Sequence, residues 1–438
     1  MATNVGILGF GTVGMGVARI ITYEGALLRE KIGHPLELKK IVVRDLKKGR
    51  SDPPPPGLLT DDPHQVVGNP DIQIVVELMG GMEPARSLIL EALNSGQHVV
   101  TANKALLAST GTEIFEAAAK NGRELIFEAA VAGAIPVIRT LKEGLAANRI
   151  QSVFGILNGT TNYILSSMTQ SAVPFADALK EAQRLGYAES DPTMDVEGID
   201  AAQKLVLLAA LAYGILPKVE DVHPEGITGL EPLDFNFASE LGYVIKLLAL
   251  SALSPEDGRL EVRLAPTMIP KSHLLAGVSG AMNAIMIRGH ASGDIFLSGA
   301  GAGMMPTASA VVGDIIDVAK TLEQGTAPAQ PQPSLGWHNL KTEAVKPQED
   351  AKSRHYLRFS VLDRPGVLSS LSGVFSRHNI SIAQVIQKEP DKVTGSVFLV
   401  ILTHHAREKD LQSALKEAMT LDTLTAEPKR IRVEEFRA

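Results

Sequence analysis

Over residues 1–138, short apolar runs alternate with longer stretches whose apolar positions recur at helical spacing. Strand-length runs fall at Val5, Gly6, Ile7 and Leu8, then at 36–43, 72–78 (IQIVVEL), 97–100 and 125–127, and residues 84–95 carry a helical pattern. Such alternation predicts an α/β fold, a doubly wound sheet of Rossmann type with helices on both faces. The segment SDPPPPGLLTDDP (51–63) interrupts it. Its prolines lack amide donors and lock φ, so it is neither helix nor central strand and reads as a surface loop.

Beyond Arg139 the pattern is mixed, and residues 139–322 are expected to form an α+β catalytic and dimerisation domain. A very apolar helix is predicted over 201–213, and the apolar stretch 243–253 offers a dimer surface. Residues 288–314 finish on a glycine-rich loop and a helix capped by Thr307 or Ser309, and about 300–322 would return to complete the first domain. Residues 323–352, rich in Pro, Gln and charge, read as a linker. After it, strand 355–362, helix 366–378, strands 380–387 and 396–404, helix 407–419 and strand 430–436 spell βαββαβ. That order predicts a ferredoxin-like unit over 353–438, separate from the rest and removable by truncation near Gln324.

Composition narrows the functional classes. A chain of 438 residues, 45% hydrophobic and 21% charged, is an ordinary globular protein of several domains. The net charge of -7 argues against nucleic acid as a partner, and the basic cluster at 47–50 is too small to change that. With no cysteine, disulfides, thiolate metal sites and cysteine nucleophiles are all excluded. The N-terminus enters a strand-like run without a basic and apolar leader, and no apolar run reaches membrane-span length, so a cytoplasmic location is expected.

Candidate chemistry begins at Gly9, Phe10, Gly11, Thr12, Val13 and Gly14, a G-x-G-x-x-G between a strand and a helix. In this context Gly9 permits the turn, Gly11 admits a pyrophosphate, Gly14 lets the helix pack on the strand, and the helix amides face the phosphates. The next strand ends at Arg44, where an NAD-selective site usually has an acid. A guanidinium there favours the 2′-phosphate of NADP, and Asp45 beside it keeps NAD possible. Lys104 lies just past a strand, on the edge where such sheets bind ligands. The small residues of EAAVAGAIP (128–136) leave main-chain carbonyls open to a monovalent cation, or equally allow close helix packing. The densest charge is in GYAESDPTMDVEGIDAAQK (186–204), where Glu189, Asp191, Asp195, Glu197 and Asp200 precede Lys204. Asp200 reads as a helix N-cap with Lys204 one turn on, so that an acid and an ammonium face one pocket. A solvated acidic loop before a helix with an i,i+4 ion pair is the plainer alternative.

Three segments, GFGTVG near the N-terminus, NGTTNYIL at 158–165 and the acidic stretch at 186–204, together resemble homoserine dehydrogenase over residues 1 to about 320. DRPGVLSSLSGVF at 363–375 resembles an ACT domain. The resemblance implies NAD(P)-dependent interconversion of L-homoserine and L-aspartate 4-semialdehyde, on the route to threonine and methionine, in a homodimer or larger homo-oligomer. It puts the family's catalytic lysine at Lys204, its aspartate at Asp200 and a second active-site lysine at Lys104, which also borders the cofactor. Substrate contacts fall on Glu189, Asp195, Gly159 and Thr160, and a sodium or potassium site on Glu128, Val131, Gly133 and Ile135. The tail would bind an amino acid near 363–368, with L-threonine the expected effector.

Reducing an aldehyde by hydride leaves charge on oxygen, so a proton donor must lie within hydrogen-bond reach, and either Lys204 or Lys104 can serve. The substrate ammonium needs the acids. Aspartate-semialdehyde dehydrogenase acylates a cysteine and is excluded. An enzyme like phosphoglycerate dehydrogenase would use a histidine-acid pair and a mid-chain fingerprint. A catalytically inactive NADP-binding amino-acid sensor is the alternative from another class, and the intact Lys204 and Asp200 speak against it.

Overall fold

The computed structural model describes residues 2–50, 52–323, 345–387 and 397–436, so most of the expected linker lies outside the described residues. The chain forms two compact units, one of Met1–Gly159, Asp200–Val222 and Ala281–Ala344, the other of Thr160–Ile199, His223–Gly280 and Val345–Ala438. Among the described residues no helix is long and apolar enough to cross a membrane.

The first unit is built on β1 (Thr3–Leu8), α1 (Thr12–Tyr23), α2 (Gly25–Ile32), β2 (Leu36–Val42), β3 (Leu59–Thr60), β4 (Ile74–Glu77), α3 (Ala85–Asn94), β5 (His98–Thr101), α4 (Lys104–Lys120) and β6 (Leu125–Ile126). Its strands pair in parallel in the order β3-β2-β1-β4-β5-β6. Val5, Ile7, Ile74, Val75 and Val76 are fully buried, because a parallel sheet is covered on both faces and its strands are apolar throughout. The order reverses between β1 and β4, which opens a crevice at their carboxyl ends. The helix Met304–Glu323 returns against α1, as expected, and its Ala308, Val311, Ile315 and Val318 share one core with Val17, Ala18 and Ile21. It starts earlier than the sequence implies. Thr307 is buried inside the first turn with its amide on the Gly303 carbonyl, so neither it nor Ser309 is the cap.

The same unit holds an antiparallel sheet of Ile150–Ile156, Met282–Gly289 and Gly293–Ala300. The very apolar helix Ile199–Tyr213 is buried along almost its whole length.

In the second unit, Tyr243–Leu253 and Leu260–Pro270 form a long antiparallel pair. Ile245, Leu247, Leu248, Ala249 and Leu250 are buried within this one chain, so the stretch 243–253 does not present the open apolar surface expected of it. The tail shows the βαββαβ order: Lys352–Val361, Val367–Arg377, Ile382–Gln387, Val397–Thr403, Glu408–Ala418 and Lys429–Val433, with a short bridge strand Ala406–Arg407. Leu357, Phe359, Leu371, Phe375 and Leu411 form its core. The expected separation of the tail fails. Lys429–Val433 pairs in parallel with Leu260–Pro270, Arg432 opposite Thr267 and Val433 opposite Met268, so 345–438 and 223–280 share one sheet and one unit.

Candidate active site

The crevice at the carboxyl edge of the first sheet is a cavity of about 760 Å³ bordered by Gly9, Gly11, Thr12, Arg44, Lys48 and Arg50, among others. Each fingerprint glycine has a distinct geometry. Gly9 has φ +100°, a conformation glycine adopts without strain, and a Cβ there would meet the Leu78 carbonyl oxygen at 2.7 Å. A Cβ on Gly14 would come 2.3 Å from the Gly9 carbonyl oxygen, whereas Gly11 has nothing within 4 Å. Gly11 is the N-cap of α1 and no side chain caps the helix, which leaves its first amides free to receive an anion. Phe10 also borders the cavity, and Val13 packs against the unit's core. The loop after β2 is drawn around Arg50, whose guanidinium donates to the Lys48 carbonyl at 2.8 Å and the Asp45 carbonyl at 2.7 Å. A nicotinamide dinucleotide fits this edge: open amides, a glycine with clear space and a basic rim.

A second cluster forms around Asp200. Lys204 is buried and its Nζ donates to Asp200 Oδ2 at 2.7 Å and to the Leu157 carbonyl at 2.8 Å. Lys104 Nζ lies 3.2 Å from Asp200 Oδ1, and Asn158 Nδ2 donates to Oδ2 at 2.9 Å. Each partner has a local cause. Residues 200 and 204 are one helical turn apart, so they share a face. Asp200 itself lies in the first turn of Ile199–Tyr213 rather than capping it. Strand Ile150–Ile156 delivers Leu157 and Asn158 at its end. Lys104 opens α4, whose cap Asn103 accepts from the Leu106 amide at 3.2 Å and donates to the Gly81 carbonyl at 2.8 Å. Behind it, buried Glu77 accepts from the Thr101 hydroxyl at 2.7 Å and the Met79 amide at 2.8 Å. Burial alone would raise the Asp200 carboxyl, but the charges of Lys204 and Lys104, with hydrogen bonds from Lys204 and Asn158, hold it well below the usual carboxylate range. The acid is therefore ionised at neutral pH.

The remaining expected site residues divide between the units. Gly159, in the first, lies where a Cβ would meet the Ala281 carbonyl oxygen at 2.7 Å. In the second, Thr160 Oγ1 donates to the Tyr187 carbonyl at 2.6 Å, the exposed Glu189 accepts at its main-chain oxygen from Gln183 Nε2 at 3.1 Å, and Asp195 is half-buried in the turn Thr193–Val196. The cation segment is in the first unit. The Glu128 carboxylate accepts from the amides of Ile138 at 2.8 Å and Arg139 at 2.9 Å, and its own amide donates to Asp314 Oδ2 at 2.9 Å. Ala132 and Gly133 both have positive φ, and the Ile135 carbonyl accepts from the Val137 amide at 2.8 Å. Among the described residues no cluster of three or more His, Asp and Glu could hold a metal, so a cation here would rely on main-chain oxygens such as that of Val131.

The chain matches a homoserine dehydrogenase model at 136–316, a homoserine dehydrogenase NAD-binding domain model at 9–128 and an ACT domain model at 355–419. It is 44% identical over 435 residues to homoserine dehydrogenase of Synechocystis sp., covering 99% of this chain and 100% of that one. It belongs to the homoserine dehydrogenase family. The homoserine dehydrogenase of Neisseria gonorrhoeae is 42% identical, with 98% of each chain covered. A crystal structure of a homoserine dehydrogenase from Thiobacillus denitrificans superposes with a TM-score of 0.92 at 44% identity, over 99% of each chain. A hyperthermophilic archaeal homoserine dehydrogenase, solved in complex with NADPH, gives 0.61 at 28% identity over 74% of this chain and 98% of that one. Homoserine dehydrogenases are oxidoreductases acting on a CH-OH group, and this chain is one, with a nicotinamide cofactor domain and a tail of ACT type. The inactive sensor has no support. Sequence reasoning did not single out Asn158, the Leu157 carbonyl, Asn103 or Arg50. Asn158 opens the NGTTNYIL segment and Asn103 precedes Lys104, so both were visible as polar residues without a stated task.

Proposed function

We propose that NADP is the preferred cofactor, that Lys204 exchanges the proton at the substrate oxygen, and that Lys104 and Asp200 fix its charge and aim. The carrying observation is the single carboxylate of Asp200 bonded to both lysines. An ammonium has three donors, and Lys204 spends two on Asp200 and the Leu157 carbonyl, so one is left for a substrate oxygen. The bound cofactor supplies the hydride acceptor or donor. In the reducing direction the lysine stabilises charge on the oxygen and gives up a proton; in the oxidising direction it takes the hydroxyl proton as the hydride leaves for the cofactor. Glu189 and Asp195 are the proposed partners of the substrate ammonium. Arg44, with Lys48 and Arg50 on the same rim, supports the 2′-phosphate reading, because a guanidinium binds phosphate as a fork. For the cation, the support is a buried acid with an unused acceptor beside the 128–136 segment: Asp314 Oδ2 takes the Glu128 amide, while Oδ1 accepts no hydrogen bond and has only the Arg139 guanidinium at 3.8 Å. Threonine inhibition through the tail is proposed from the ACT likeness.

One assay tests these readings. Pure protein is mixed with NADP or NAD and L-homoserine at alkaline pH and reduced cofactor is followed by absorbance. Lys204→Ala is expected to lose about 10²–10⁴-fold in kcat with NADP binding retained. Near-normal turnover removes it from the proton transfer. Arg44→Ala should raise KM for NADP at least roughly tenfold while leaving NAD unchanged. Equal losses make Arg44 structural. Replacing sodium and potassium by a bulky organic cation should lower the rate, and an unaltered rate counts against the cation.

A further inference from the structure

The final strand of the chain carries two arginines whose acidic partner leads directly to the turn bearing Asp195, all within the second unit. Arg432, 3% exposed, pairs with Glu225 and lies 3.1 Å from Glu408. Arg430 pairs with the same two acids, at 3.1 Å to Glu225. Two guanidinium groups and two carboxylates close into a neutral network, which is what allows Glu408 to be buried at all. Burial would raise the Glu408 carboxyl, and Arg432 and Arg430 instead hold it down to about 2.

Glu225 heads a segment stitched to the acidic stretch at successive positions. Its amide donates to the Leu264 carbonyl at 2.8 Å, and the Ile227 amide donates to the Val196 carbonyl at 2.9 Å. Between them, a Cβ on Gly226 would lie 2.6 Å from Glu197 Oε2 and 2.8 Å from the Val196 carbonyl oxygen, so the backbones approach as closely as glycine allows. Thr228 Oγ1 donates to Glu197 Oε1 at 3.4 Å. Leu264 also fills the notch beside Gly198, 2.8 Å from a would-be Cβ, on the strand that pairs with the one carrying Arg432. Residues 195–198 thus rest on 225–228, and 225 is pinned by the tail.

We propose that Arg430 and Arg432, acting through Glu225, are positioning residues for the 195–198 turn, so that the tail sets affinity for the amino-acid substrate without touching it. This rests on the reading of Asp195 as a substrate acid. Glu225→Gln removes one carboxylate of the network and leaves both arginines on Glu408, so the tail keeps its pairing while the pin is weakened. In the full-length protein, KM for L-homoserine should rise roughly tenfold, with kcat within about twofold and KM for NADP unchanged. Arg430→Gln should give a smaller change in the same direction and carries the test if the first variant does not fold. Glu261→Gln, whose partner Arg263 belongs to a different ion pair, should leave KM for homoserine as it was. Unchanged KM in both network variants, or parallel rises for homoserine and NADP, overturns the inference. Asp195→Asn separates the two levels. If it raises KM for homoserine and Glu225→Gln does not, only the positioning role falls; if it too leaves KM unchanged, the substrate-acid reading falls with it.

Discussion

A buried ionisable side chain keeps its charge only where partners replace the water it has lost, and the first unit shows both outcomes. Asp200 has two lysines and an asparagine and stays ionised, while His98 on β5 has no such compensation. Its Nδ1 accepts the Glu124 amide at 3.0 Å, which leaves the proton on a buried Nε2 with no acceptor. Burial first, and the charge of Arg123 second, pull its pKa from 6.5 down to about 4. The unfolded chain therefore takes up a proton near pH 6.5 that the folded protein refuses until near 4. Above that window His98 is neutral in both states and contributes no pH dependence; as pH falls through it, stability drops, by up to about 3 kcal/mol for this group. His98→Asn keeps an acceptor for the Glu124 amide without titrating, so its denaturant midpoint should fall less than that of the unmodified protein between pH 6.5 and 4. Parallel curves would remove His98 as a source of acid sensitivity. At this scale the sequence exposed Asp200 and Lys204 through their i,i+4 spacing. It was silent on His98, whose importance depends on a neighbour 26 residues away along the chain.

Elements were legible wherever a single period dominated. The strands of the first sheet are apolar because both faces are covered, and the tail strands and helices keep their own period, so both groups fall close to their expected positions. The start of Met304–Glu323 was hidden because Thr307 and Ser309 look like caps, whereas the turn is set by packing of Ala308 against Gly16 of α1, where a Cβ would stand 2.8 Å from the alanine methyl. Glycines in the first turn divide in the same physical way. A Gly14→Ala methyl would collide with a backbone oxygen that cannot swing aside, so this variant should lose roughly 1–3 kcal/mol of stability and bind NADP poorly. Gly11→Ala has open space around it and should unfold at nearly the normal temperature, yet bind NADP at least about tenfold more weakly because the methyl occupies the path of the pyrophosphate. Thermal unfolding and cofactor titration of the pair check this. If both variants lose stability equally, the division of labour between the glycines is wrong.

For the molecule as a whole, the sequence hid the way the tail is joined. A Pro- and Gln-rich stretch reads as a tether, and nothing in residues 429–433 announces that they pair with Leu260–Pro270, since a parallel register over such a separation leaves no local periodicity. The joint is ionic as well as hydrogen-bonded. Arg358 is 5% exposed and bonds Asp234, 1% exposed, at 2.7 Å, while Arg263 pairs with Glu434. Truncation after Glu323 would strip the neighbouring strand from Leu260–Pro270 and uncover the surface that Tyr356 and Arg358 seal over Asp234, so the shortened protein is expected to unfold or aggregate rather than work as a desensitised enzyme. The threonine response is better tested at one residue. Gly366 has φ +94° and is the N-cap of Val367–Arg377, with no side chain covering the helix amides. Asparagine tolerates that backbone conformation, and its side chain would occupy the place where an amino-acid carboxylate could meet those amides. Full-length protein should slow as L-threonine rises into the millimolar range, and Gly366→Asn should keep its uninhibited rate and lose most of the response. A full-length enzyme indifferent to threonine, or a variant inhibited as strongly as the parent, would leave the tail with only its structural place in the second unit.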